Sequence, residues 1–224
     1  MEGLREVNVF MAKVAQECGK NEECVNFMRE VISQGRPLSY NERNLISAAY
    51  KSIVGPLRDS IRILQEDNHN YDVTSSIIEI SEILSAKCDE VISLIRNTLL
   101  PAVTEPEVRI FYIKMIADYL RYKWEGTAEK TRFDVAQQCK VAYQDAATLA
   151  ETSLPAYHPL RLGLCLNFAV FIYEILNETS EAYELALKAY NEAGNGINQL
   201  SPESKEEAVH TLELLRENIQ LWQQ

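Results

Sequence analysis

Six of the seven prolines in this 224-residue chain stand where one apolar-periodic segment gives way to the next. Gly35-Arg36-Pro37, Pro101 to Pro106, Pro155 to Pro159 and Ser201-Pro202 are such places. Proline is tolerated in the first turn of a helix and disruptive in its interior, so these cuts mark helix boundaries. With only 8 glycines, the chain lacks the turn punctuation an all-β fold needs. The intervals read as about nine helices: 3–18, 21–34, 39–66, 73–99, 106–125, 128–153, 159–177, 180–196 and 202–222. Ser39 to Glu42 has the capping-box form, and Ser201-Pro202 places a cap before a first-turn proline. Short connections favour antiparallel neighbours. No Gly/Ser-rich, Pro-rich or charge-block linker interrupts the chain, so 1–224 reads as a single all-α domain.

Composition narrows the function. A net charge of −11 argues against a general surface for nucleic acid or anionic membrane. Against that field, any tight basic cluster has to be built on purpose. Five cysteines without a CxxC pair read as free, mostly buried thiols of a reducing compartment. Three scattered histidines offer no metal-ligand spacing, and no cofactor motif is present. The charged N-terminus is unlike a signal peptide, and no apolar run reaches the roughly 20 residues of a membrane span. We expect a cytoplasmic protein, possible also in the nucleus.

Polar residues recur where packing does not require them. At 100° per residue, Lys51, Arg58 and Arg62 fall within about 40° of one another on the third helix. Lys114, Asp118 and Arg121 repeat the pattern on the fifth, with Tyr122 alongside. A solvated charged face with i,i+4 pairs is the plainer account of either stripe taken alone. On the seventh helix Gly163, Leu166, Asn167, Val170 and Glu174 form one stripe within a very apolar segment. Asn167 and Glu174 must there be buried with partners or line a cavity. The ninth helix adds Leu214, Asn218 and Trp222, spaced by four. Basic residues beside a tyrosine, with asparagines among apolar residues, describe a site for an anionic peptide. A phosphoserine carries about −1.5 to −2 charge and three acceptor oxygens, which guanidinium forks satisfy bidentately.

Four blocks then resemble the 14-3-3 family. They are Glu42 to Lys51 running on to Gly55, Phe111 to Tyr122, His158 to Asn177, and Leu214 to Trp222. The resemblance implies nine antiparallel helices forming a cup with an amphipathic groove, and a non-enzymatic adaptor for phosphorylated client proteins. Residues 1–66 would lie near the dimer seam and 106–222 would form the groove. Arg58, Arg121 and Tyr122 would hold the phosphate, with Lys51 beside it. Lys114 would reach the peptide backbone or a neighbouring oxygen. Asn167 and Asn218 would bond the peptide main chain, and Glu174 would support the site. Leu166, Val170, Leu214 and Leu221 would form the apolar wall, and Trp222 would close the rim.

The sequence also departs from the family pattern. Pro56 interrupts the third helix between Lys51 and Arg58, where an interior proline costs about 3 kcal/mol and kinks a helix. We expect weaker or altered peptide selectivity. The stretch from Arg62 to Cys88 is short by about two helical turns. Leu57 and Ile61 stand where the family carries Arg and Trp. The resemblance places Val14, Cys18, Lys20, Glu23, Ser60, Glu79 and Ile83 at the seam of a homo- or heterodimer. There Lys20 would face Ile83 and Glu23 would face Glu79, so one ionic pair is missing and the other is like-charged. Ser60 falls where some members are phosphorylated to open the dimer. The sequence stops at Gln224, just after the last helix, so the family's acidic flexible tail is expected either to be absent or to lie beyond it. A tetratricopeptide-like scaffold for unphosphorylated peptides is the alternative, suggested by similar helices opening at Ala142-Tyr143 and Ala182-Tyr183.

Overall fold

The computed structural model describes residues 2–66, 72–194 and 196–223. Among them are nine α-helices and no strand. They are α1 (Glu2–Glu17), α2 (Asn21–Ile32), α3 (Tyr40–Glu66), α4 (Thr74–Leu94), α5 (Pro106–Glu125), α6 (Glu129–Ser153), α7 (Pro159–Glu174), α8 (Thr179–Ala193) and α9 (Pro202–Trp222). Two short pieces complete the set, a π-helical turn at Ile95–Leu99 and a 3₁₀ turn at Ile197–Gln199. The all-α expectation holds.

Local chemistry accounts for the boundaries. At the start of α3 the capping box forms in both directions: Ser39 N–H donates to Glu42 Oε2 at 2.7 Å, and Glu42 N–H donates to Ser39 Oγ at 3.4 Å. His158 caps α7, its Nδ1 accepting from Leu160 N–H at 3.3 Å, with Pro159 in the first turn. Ser201 does the same for α9 through Ser204 N–H at 3.3 Å.

Some ends differ from expectation. α7 stops at Glu174, three residues short of Asn177, because Asn177 takes φ 56° and turns the chain away. Glu178 N–H then donates back to Ile172 O at 3.1 Å. α8 ends at Ala193 and α2 at Ile32. The expected span 180–196 includes Asn195, outside the described residues, as are 67–71 within the shortened stretch before Cys88. The expected helix 73–99 exists, but its last turn widens to π geometry, with Leu100 N–H donating to Ile95 O at 2.9 Å.

Contacts divide the described chain into two compact units. The first comprises Met1–Val103 with Tyr122–Thr131, the second Thr104–Arg121 with Arg132–Gln224. In the first, α1 packs on α2, α2 on α3 and α3 on α4. Its core holds Met28, Tyr50, Val54, Ile61, Leu84 and Val91, all essentially without exposure. In the second, α7, α8 and α9 pack on one another. Here Tyr143 stacks on Phe168 at 5.3 Å and tilts against Phe171 at 5.5 Å. Cys24, Cys88 and Cys139 are buried free thiols, whereas Cys165 is half-buried and Cys18 exposed.

Candidate functional site

In the first unit the site begins with one arginine. Arg58, on α3, lays its guanidinium over the Tyr122 ring with 4.0 Å to the centroid. The same group forks onto Glu125, Nε to Oε2 at 2.8 Å and Nη2 to Oε1 at 2.5 Å. Tyr122 is buried and Arg58 largely so, which makes this pair stronger than a surface one. The structure therefore displays Arg58 in the bidentate geometry that any oxyanion would use. Lys51 is exposed two turns earlier on α3. Arg62 is exposed at the helix's far end, 3.7 Å from Asp59.

In the second unit the polar residues converge on Asp118. This buried carboxylate accepts from Lys114 Nζ at 2.7 Å, from the Tyr143 hydroxyl at 2.7 Å and from Asn167 Nδ2 at 2.8 Å. Arg121, also buried, donates through Nε to the Tyr143 hydroxyl at 3.4 Å. Burial alone would raise the Asp118 pKa. The charges of Lys114 and Arg121, with the bonds from Lys114 and Tyr143, outweigh it and hold the carboxyl below the usual range. Burial, and then the Asp118 charge, drive the Tyr143 phenol well above its ordinary value. The node stays anionic and fully bonded, and it fixes the aim of one ammonium and one amide.

The apolar stripes remain partly open to solvent. Leu166, Asn167 and Val170 on α7 are half-buried, as are Leu214 and Asn218 on α9. Leu221 is exposed. Trp222 is buried, stacked on Tyr173 with centroids 5.0 Å apart. Of the two expectations for Glu174, burial with a partner does not hold: as the last residue of α7 it is exposed. Sequence reasoning missed Glu125, Tyr143 and Tyr173. Glu125 follows Arg121 at i+4, so its only sequence signal suggested a local pair rather than one with Arg58.

The comparisons settle the relationship. A family model described as "14-3-3 protein" matches residues 11–223. The chain belongs to the 14-3-3 family. It is 41% identical over 230 residues to the 14-3-3-like protein GF14-E of Oryza sativa subsp. japonica, covering 97% of this chain and 88% of the relative. It is 39% identical over 228 residues to 14-3-3 protein 2 of Entamoeba histolytica, covering 97% and 95%. The tetratricopeptide-like alternative gives way to this assignment.

Two of this 14-3-3 chain's departures have a visible local form. α3 is continuous through Pro56, which is exposed, and Ser60 Oγ donates to Pro56 O at 2.8 Å. At the expected seam, Lys20 Nζ pairs with Glu23 of its own chain at 3.0 Å. Glu79 and Ile83 on α4 are exposed, Cys18 is exposed and Val14 half-buried. Ile61, by contrast, lies inside the core of its own unit.

Among the described residues, no helix is long and apolar enough to cross a membrane.

Proposed function

We propose that this 14-3-3 chain is a non-enzymatic adaptor that binds phosphoserine or phosphothreonine segments of client proteins, with 1–224 as one functional domain. Family membership supports client binding. The observation that carries the phosphate dependence is Arg58, held over Tyr122 and already gripping a carboxylate through two parallel bonds. Nε and Nη2 are engaged by Glu125, and Nη1 has further N–H groups to offer. A phosphate dianion presents the same bidentate edge with more charge. Tyr122 supplies a hydroxyl, and Lys51 an exposed ammonium on the same helix as Arg58. Arg121, one residue before Tyr122, adds a further guanidinium.

In the second unit we assign Lys114, Asn167 and Asn218 to the client's main chain. Leu166, Val170, Leu214 and Leu221 take its side chains, with Glu174 and Trp222 at the margins. A homo- or heterodimer with Val14, Cys18, Lys20, Glu23, Ser60, Glu79 and Ile83 near the seam is part of the same reading, as is a cytoplasmic location.

The test is a fluorescence-polarisation titration of a phosphoserine peptide and its unphosphorylated twin, against wild type and Arg58→Ala. We expect binding that requires the phosphate and weakens by roughly 2–5 kcal/mol on truncation of the arginine. Equal binding of both peptides, untouched by the substitution, would sink the proposal.

A further inference from the structure

An asparagine can present either end of its amide, and the group it meets decides which. Asn167, half-buried on α7, meets Asp118 Oδ1 at 2.8 Å. Asp118 is a carboxylate paired with Lys114 at 2.7 Å, so it can only accept. The NH2 end of Asn167 must therefore face it. Turning the amide over would forfeit a charge-assisted bond and set oxygen against oxygen. The amide oxygen is thus directed away from the buried carboxylate.

Asp118 imposes a direction on its other partners as well. The single hydroxyl proton of Tyr143 goes to the same Oδ1 at 2.7 Å, which leaves the phenol oxygen to accept from Arg121 Nε at 3.4 Å. Lys114 gives one proton to Oδ2 at 2.7 Å and keeps two N–H groups to offer. Its stem lies along α7 beside Gly163, where an added Cβ would stand 3.9 Å from Lys114 Cε, in ordinary contact. Gly163 precedes Asn167 by about one helical turn. The ammonium and the amide thus belong to one stretch of α7, each bonded to a different oxygen of one carboxylate.

A main chain carries one N–H and one C=O per residue. A fixed acceptor beside spare donors complements that pair in one sense only. We propose that Asp118 is a positioning residue for the client's main chain, fixing Asn167 Oδ1 to accept from a client N–H while Lys114 donates to a client C=O. This assignment rests on the adaptor reading above and adds the polarity of its contacts and the residue that sets it. An amide already turned to its partner spares binding the cost of reorienting it.

The probe is a phosphoserine peptide with a series of variants in which one main-chain N–H at a time is replaced by an ester oxygen. Against wild type we expect one ester to weaken binding about tenfold, because it removes the bond and leaves an oxygen facing Oδ1. Asn167→Ala should abolish that penalty. Asp118→Ala frees the amide to turn and should largely abolish it too. In Asp118→Asn the new amide oxygen still accepts from Asn167, so the penalty should remain. A second measurement needs no variant. In the isotope-labelled full chain, scalar coupling across the hydrogen bond from Asn167 Nδ2 to Asp118 should be present both before and after peptide is added. Loss of that coupling on binding overturns the proposal. So does an ester series with no penalty linked to Asn167, or a penalty unchanged in folded Asp118→Ala. If wild type binds the phosphorylated and unphosphorylated peptides equally, the adaptor reading fails and this one with it. Phosphate dependence without an ester penalty linked to Asn167 overturns this assignment alone.

Discussion

Asp118 is buried and has three donors, and that accounting makes it the residue whose loss should be felt most. In Asp118→Asn the amide oxygen can keep Tyr143 and Asn167, which already share Oδ1, but the Lys114 ammonium then faces an NH2 in place of the anion 2.7 Å away. Breaking a buried pair by removing one partner costs about 3–5 kcal/mol. Because Lys114 retains some exposure, we expect the lower end of that range in urea denaturation. The pH dependence has a definite sign. The folded-state pKa of Asp118 is depressed, so its contribution is fully present above the ordinary aspartate range and lost as pH falls through the folded value. Glu42, depressed by Arg5 and Ser39 against the opposing effect of burial, adds in the same direction. Wild type should therefore lose stability on acidification below about pH 4, and Asp118→Asn should show a shallower loss over that window.

The elements were the most legible part of the sequence, and Pro56 shows where legibility ended. Proline positions and caps set the starts of α3, α5, α7 and α9, since both act within a few residues of themselves. Ends were less visible. α7 overran to Asn177 because the apolar pattern continues past Glu174, and only the φ of one asparagine stops the helix. The π turn at Ile95–Leu99 has no sequence marker either. Stripes on α3, α5, α7 and α9 could be read from spacing, but their partners could not. Glu125 reaches Arg58 across 67 positions, and Tyr143 reaches Asp118 across 25. Pro56 was expected to interrupt α3, yet helical structure continues on both sides of it. Its missing N–H still removes one ladder bond, from exposed Ser52. Pro56→Ala should stabilise the chain by about 1–3 kcal/mol in thermal denaturation. If the proline tunes selectivity, isothermal titration should show a changed ranking of phosphopeptides. An unchanged ranking would mean that Pro56 affects stability alone.

For the whole molecule the open question is self-association. Leu4, Val7 and Met11 are exposed along one edge of α1, an unusual run of apolar surface on an acidic chain. At the proposed seam the ionic contribution would be small, since Lys20 and Glu23 pair with each other and Ile83 offers no charge. Apolar contact should then dominate. We expect light scattering to return twice the chain mass of 25.5 kDa, with little change between low and high salt. Met11→Glu should shift the mass towards a single chain. A monomer at all protein concentrations would show that the altered seam has abolished association.

Glu125 also bears on what can imitate a phosphorylated client. A glutamate or aspartate introduced at the modified position offers Arg58 a single negative charge and a planar fork, the same chemistry that Glu125 already supplies from within the chain. Exchanging one carboxylate for another gains nothing in charge and gives up the entropy of association. Only a group carrying more charge than its internal rival displaces it with profit. Acidic substitutions meant to render a client permanently active should therefore behave as unmodified, and a polarisation titration of such peptides should show no binding above that of the serine form.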